Sequence, residues 1–468
     1  MNFIPLSRSG CVFLTVIAII TTFIQYPVKA EQNSNEQKVN QAVTTQFELS
    51  FELESLGDLA AILGIDLPPT GPVSLQTNIN VTGQGYTLSD IRFSAGKSDL
   101  AGKLAVSYAG EHPALSARFR SDRIDLTELY LDEEKNEEDM VQAGNNETKT
   151  REVEKIFPSH PLPFDFIRNF DMELSYSAGK ILGHHIELDN FELGANQANG
   201  NLDIHTLHAD VANGRLVAAG NINAADTPPL LTINMDINGL EPGQLPDIKK
   251  LDAVDGLLTD ITFKASGTGN SVAEIMGTMN GSYLSKSGKG INYVQQVNLL
   301  DINFLIEALN ILNPFRKKQN ESPINCIVVK FGINDGEAVS DRGIAAQTQN
   351  LNVIGGGVVD LKNEQFDFVV HPEARSGINI GAITLVDAVR ISGNFSDPVV
   401  NAETQAALLK RAGTVGAALF TGGLSYIAQK LFENARFKDD PCTEALQDAA
   451  PVTKPDKNNK KPENTFSQ

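Results

Sequence analysis

The sequence predicts a mainly β protein: an elongated, twisted antiparallel β-sheet, a half-pipe or trough of repeated hairpins. An export segment precedes it and one or two helices lie towards the C-terminus. Three observations carry this expectation. Apolar and polar residues alternate with period two through much of the chain. Short links rich in Gly, Asn, Asp and Pro separate the alternating runs. A hairpin-sized unit also recurs.

Residues 1–30 form the first element. Arg8 precedes an apolar run, Cys11–Ile24, broken by Thr15, Thr21 and Thr22, and Val28-Lys29-Ala30 follows with small residues flanking Lys29. A cationic flank, a short apolar stretch and small residues near its end define an export signal, either cleaved or kept as an N-terminal anchor. The rest of the chain is then expected outside the cytoplasm.

A first β module spans 40–130, where Leu100, Gly102, Leu104, Val106 and Tyr108 occupy alternate positions, as do Leu115, Ala117 and Phe119. Residues 131–157 are dense in Asp, Glu, Lys, Asn and Thr, a composition expected of an acidic flexible linker. A second β module covers 158–290, with Leu231, Ile233, Met235 and Ile237 in alternation. A helix is expected over 291–315, where Leu305, Ile306, Leu309 and Leu312 share a face before Asn313-Pro314.

A terminal β module follows over 322–400. Ile327, Val329, Phe331 and Ile333 alternate there, as do Phe366, Phe368 and Val370, and Val389, Ile391 and Gly393. Residues 401–440 carry Leu408, Val415, Leu419, Ile427 and Leu431 at helical spacings beside Lys410, Arg411 and Lys430. This predicts an amphipathic helix that either caps the sheet or touches a membrane or partner. The tail 441–468 is expected to be disordered.

The repeat is a glycine-led strand, a turn, and a second strand. Gly102–Val106 with Leu115–Phe119 is one copy. Gly220–Asn223 with Leu231–Met235 is another, and Gly355–Leu361 with Phe366–Val370 a third. Repeated hairpins argue for a long sheet rather than a closed globule.

Composition narrows the function. The chain carries 38 Lys+Arg against 58 Asp+Glu, a net charge of −20, so a phosphate backbone is repelled and no nucleic-acid partner is expected. Trp is absent, which removes the strongest stacking platform for sugars and bases. Gly96-Lys97-Ser98 resembles the end of a phosphate loop, but Ile91 stands where the first glycine belongs. No Gly-x-Ser-x-Gly elbow occurs. The pairs His184-His185 and His205-x-x-His208 point to opposite faces of a strand, a poor arrangement for a metal. No enzyme, metal or cofactor is therefore expected. Outside the export segment only Cys326 and Cys442 remain, and in an oxidising compartment they are expected to pair.

Several ordered motifs give a resemblance. Pro161-Leu162-Pro163-Phe164-Asp165-Phe166-Ile167-Arg168, Ala212-Asn213-Gly214-Arg215-Leu216 and Thr259 through Gly269 are similar to the C-terminal region of the AsmA family. Asn334-Asp335-Gly336, Gly355 through Glu364, and Ile391 through Pro398 continue the series, and Asp440-Pro441-Cys442 sits where that family often places a late cysteine. The resemblance covers 155–445, and more weakly 70–130. It implies an envelope protein of a two-membrane bacterium, periplasmic and tied to the inner membrane, shaped as a β half-pipe. Several members are linked to phospholipid movement towards the outer membrane.

The expected partner is phospholipid, together with the inner or outer membrane and envelope proteins. The inward residues expected to line an apolar groove are Leu104, Val106, Ile233, Met235, Val329, Phe331, Phe368 and Ile391. The alternatives are a non-enzymatic scaffold for outer-membrane protein assembly and a secreted β-repeat adhesin.

Overall fold

The computed structural model describes residues 44–58, 68–128, 155–249, 254–293, 321–375, 388–403 and 440–447. The strands are β1 (Thr45–Leu53), β2 (Val73–Thr82), β3 (Gly85–Ala95), β4 (Ser98–Ser107), β5 (Ala114–Asp125), β6 (Asp171–Leu182) and β7 (Glu187–Ala198). There follow β8 (Asn201–Val211), β9 (Gly214–Asn223), β10 (Leu230–Leu240), β11 (Val254–Gly256), β12 (Thr259–Thr268), β13 (Asn280–Ser287) and β14 (Gly290–Tyr293). The last six are β15 (Glu321–Asn334), β16 (Glu337–Thr348), β17 (Leu351–Asp360), β18 (Gln365–Ala374), β19 (Ala388–Asn394) and β20 (Asp397–Glu403). Four short α-helices lie wholly within the described residues: α1 (Phe164–Asn169), α2 (Pro246–Lys249), α3 (Val272–Gly277) and α4 (Pro441–Gln447).

All twenty strands form one long, open, twisted sheet. Neighbours in sequence are neighbours in space from β1 to β10. The ladder then runs β10–β12–β13–β15 and strand by strand to β20. β11 pairs with β14, and β14 pairs with the first residues of β15. The three repeat copies are the hairpins β4–β5, β9–β10 and β17–β18.

One junction departs from the expected antiparallel pattern: β5 and β6 run parallel, with Ala114 opposite Asp171 and Asp125 opposite Leu182. The chain must therefore return the length of a strand, about 36 Å at 3.3 Å per residue, before β6 begins. A two-residue turn cannot do this; parallel neighbours require a long crossover. The acidic stretch lies within that connection.

Its end is better defined than the expected linker. Residues 155–157 are placed against the β17–β18 turn, where the backbone amides of Ile156 and Phe157 donate to the Glu364 carboxylate, the second at 3.2 Å. The chain then passes along the strand ends. Ala273 donates to the carbonyl of Pro158, and Leu162 to that of Asn270. Phe164 packs with Ala224 and Ile275, Gln197 donates to the Ile167 and Phe170 carbonyls, and Asp171 donates to that of Pro113.

Bulges bend the ladder part-way along several strands, between Leu88 and Ile91, between Asp189 and Glu192, and between Ser340 and Ile344. Asp90 and Asn190 sit at two of them with φ of 53° and 50°. Short polar side chains tolerate this left-handed conformation better than branched ones. An extra residue on one strand bends the pair and increases its twist.

The C-terminal end corrects two expectations. Residues 291–293, expected to begin a helix, belong to strand β14 with Gly290; the remainder of the expected helix 291–315 lies outside the described residues. Pro441–Gln447 is α4, not part of a disordered tail. Cys442 and Ala445 of α4 pack on Val328 and Ala345, and Cys442 is disulfide-bonded to Cys326 with 6.5 Å between Cα atoms. A buried ion pair, Arg342 to Glu444 at 2.9 Å, joins α4 to β16. A helix of seven residues shows little periodicity; covalent and ionic anchors to the sheet hold it.

Candidate functional site

The alternation in each strand assigns its side chains to two faces, and the register decides whether those faces stay in line from strand to strand. Here they do. Starting at the β1 edge, Phe47 faces Ile79, then Leu88, Leu104, Ala117, Leu174, Ala195, Ile204 and Gly220 on successive strands. The same row continues through Ile233, Ala265, Gly281, Ile333, Ala338, Val359, Phe366 and Gly393 to Pro398 on β20. Every position is apolar or glycine, from one edge to the other. The parallel junction preserves the row, because Ala117 and Leu174 face each other across it. One residue over, on the opposite face, the row reads Asn221, Thr232, Ser266 and Asn280.

All eight residues expected to line a groove lie on this apolar face. Leu104 faces Ala117 and Val106 faces Leu115. Ile233 and Met235 lie over Ala265 and Phe263. Phe263 leads through Tyr283 to Phe331, and Val329 faces Ile344. Phe368 faces Ile391. Their accessibility divides them. Leu104 and Val106 are only 1 % and 4 % exposed, and Leu104 lies within a cluster that includes Ile91, Ala117, Phe119 and Tyr176. The other six are half-buried. The residues available to a ligand thus lie from β10 onward, and the pair on β4 belongs to the core.

Phe331, Phe366, Phe368 and Phe395 form an aromatic run. Centroid distances are 5.9 Å for Phe331–Phe368, 5.3 Å for Phe366–Phe368 and 6.1 Å for Phe366–Phe395. Phe157, from the segment bound by Glu364, adds an edge contact to Phe395 at 5.8 Å. Glycine makes the run possible. A Cβ on Gly357 would meet Phe368 Cδ1 at 2.3 Å. Gly102 stands in the same relation to Phe119 in the first repeat copy, with φ of +155°.

The apolar face holds little charge. The Tyr176 hydroxyl lies 3.1 Å from Ser121 Oγ, and burial raises its pKa. Tyr86 is pushed up mainly by burial and further by Tyr108. Both are therefore neutral at physiological pH, as an apolar ligand requires.

Among the described residues, Cys326, Asp440 and Cys442 bring their ligand atoms together, but the two sulfurs are bonded to each other. The helical positions Leu408, Val415, Leu419, Ile427 and Leu431 lie outside the described residues, as do residues 1–30. Among the described residues, no helix is long and apolar enough to cross a membrane.

The model of the AsmA family matches residues 26–342, two thirds of the chain and everything from before β1 into β16. The chain belongs to the AsmA family. It is also similar to the AsmA family protein YhjG of Escherichia coli (strain K12), with 24 % identity over 389 residues, covering 80 % of this chain and 55 % of the relative. The chain thus spans about half the length of that curated relative. No solved structure matches it. The family match takes in the whole first module, where the sequence motifs were faint, and stops short of the Gly355–Glu364 and Ile391–Pro398 motifs. This AsmA-family chain is an envelope protein.

Two features escaped sequence reasoning. The bulge residues Asp90 and Asn190 stand in Leu-Ser-Asp-Ile and Leu-Asp-Asn-Phe, where a short polar pair interrupts an apolar alternation; that interruption was the available signal. The Glu364 clamp on residues 156–157 joins positions two hundred residues apart and left no local trace.

Proposed function

We propose that this AsmA-family protein shelters phospholipid acyl chains on its apolar sheet face during movement between the inner and outer membranes, and so supports outer-membrane biogenesis. The observation that carries the reading is the edge-to-edge apolar row, with Ile233, Met235, Val329, Phe331, Phe368 and Ile391 half-buried on the same face. An acyl chain of sixteen carbons costs roughly 13 kcal/mol to expose to water, at about 0.8 kcal/mol per CH₂. A continuous apolar surface lowers that barrier with no catalytic group, so the protein works without enzymatic activity or cofactor. An elongated open sheet offers the tail an apolar contact at each successive strand.

The test places a charge in the half-buried row, as Val329→Asp and Phe368→Asp. The expected outcome is a folded protein that loses lipid crosslinking in the envelope and fails to support outer-membrane integrity. Mass spectrometry of the protein purified from its native envelope should find bound phospholipid in the wild type and less in the variants. Folded variants with unchanged lipid recovery and an intact outer membrane would overturn the proposal.

A further inference from the structure

The opposite, polar face is uneven in charge. On β3, β4 and β5 it carries Arg92, Lys103, Arg118 and Arg120, all exposed. The register draws them together: Lys103 lies directly opposite Arg118, and Arg92 and Arg120 flank Ala101 from either side. Like charges directly opposite each other on a sheet are destabilising. The same face of these strands also carries Asp90, Asp99 and Asp122, but Asp99 is taken up by the backbone amides of Asp122 and Arg123, and Asp90 by the Asn78 side chain.

Nearby cations show the contrast. Lys97 pairs with Glu128, and Arg123 with Asp125 at 2.9 Å. Within the patch, Arg120 reaches Asp122 with both side chains largely in water. Arg92, Lys103 and Arg118 have no ion pair among the described residues. The sign reverses on the next strand, where Glu173 of β6 lies diagonal to Arg118, and stays negative farther along the same face with Asp203 and Asp236.

We propose that the polar face of β3–β5 docks on the surface of an anionic phospholipid bilayer. Its position favours a membrane over a soluble anion. The patch begins two strands from β1, where the chain enters the sheet. The apolar run Cys11–Ile24 ends about twenty residues before β1, a reach of at most about 70 Å. A bilayer holding that run lies within range of the patch. An open cationic face three strands wide suits a plane of phosphates better than a single enclosed ligand. Each cation at an anionic membrane surface strengthens partitioning by about fivefold. The proposal does not depend on the apolar face carrying lipid.

Lys103 provides the readout. The full-length protein is treated with a water-soluble amine-acylating reagent, alone and with vesicles. One set of vesicles is phosphatidylcholine; the other is equal parts phosphatidylcholine and phosphatidylglycerol. Mass spectrometry follows Lys103 against Lys264, an exposed lysine on the same face of β12. The expected result is severalfold slower acylation of Lys103 with anionic vesicles only. The protection should fade in high salt, as the screening length shrinks from about 8 Å to about 3 Å. It should also disappear in Arg92→Gln/Arg118→Gln, where losing two cations weakens docking by about 25-fold. Equal Lys103 rates with both vesicle types would overturn the proposal. So would equal protection of Lys264, or slow Lys103 acylation before vesicles are added, which would make the chain's own acidic stretch 132–154 the occupant.

Discussion

Phe331 on β15 and Phe368 on β18 touch, ring to ring, across two intervening strands, with centroids 5.9 Å apart. Three strand spacings measure about 14 Å. The rings meet because Phe368 lies over Gly357, its cross-strand partner, where no side chain stands between. An adjacent aromatic packed over a strand glycine restores contact that the glycine itself forfeits.

Gly357→Ala should therefore unsettle this end of the sheet. The new methyl would sit 2.3 Å from Phe368 Cδ1 and 2.5 Å from the Asp367 carbonyl oxygen. Overpacking of this kind costs about 1–3 kcal/mol. Denaturant unfolding should show a lower midpoint, and adding Phe368→Leu should recover part of the loss. A midpoint equal to the wild type's would mean that the ring does not occupy this place.

The Arg342–Glu444 pair makes a second prediction. Both side chains are over nine-tenths buried, and they link α4 to β16. Glu444→Gln removes the charge facing a buried guanidinium, a change that costs about 3–5 kcal/mol in such sites. Because the disulfide still tethers α4, the effect should be local: faster amide exchange in β15 and β16, with β1–β10 unchanged. Arg342→Met with Glu444→Leu should restore protection. Failure of Glu444→Gln to alter exchange would place the anchoring in the disulfide alone.

Acid should loosen the same helix. The Thr443 hydroxyl, 2.6 Å from the Asp440 carboxylate, chiefly lowers that group's pKa, and the Thr443 amide at 3.1 Å adds to it. A carboxyl whose folded pKa is depressed contributes stability that is present above its unfolded value, 3.8, and lost as pH falls through the lower folded value. The Cys326–Cys442 bond should therefore become easier for a phosphine reductant to reach as pH falls below about 4. Asp440→Asn should flatten that dependence. The same acceleration in the variant would assign it to another group.

The Glu364 clamp predicts a proteolytic phenotype. Glu364→Ala deprives the half-buried Ile156 and Phe157 amides of their charged acceptor, a loss of about 1.5–3 kcal/mol per hydrogen bond. Cleavage near Lys155 should accelerate, while global unfolding moves little. Glu364→Gln, which keeps one acceptor oxygen, should fall between. Unchanged cleavage in the alanine variant would show that Phe157 packing on Phe395 suffices.

Much of this was legible in the sequence because antiparallel pairing is local. Period-two alternation placed Ile233, Met235, Phe331 and Phe368 on one face, and hairpin neighbours carried the assignment along the chain. The distant Cys326–Cys442 pair was legible through the redox argument. What eluded reading depends on contacts far apart in sequence. The parallel β5–β6 pairing leaves no mark in either strand. The deep burial of Leu104 comes in part from Tyr176 and Ala178, contributed by β6. The α4 segment contains Glu444, which alone suggests a solvated tail; only Arg342 makes it a buried anchor.

The ladder has a consequence for the size of such proteins. Each strand depends chiefly on its two immediate neighbours, so a pair added at either rim would leave the existing lattice untouched. Evolution could lengthen or shorten this architecture in increments of one hairpin. A relative about half as long again needs no new design, only more rungs.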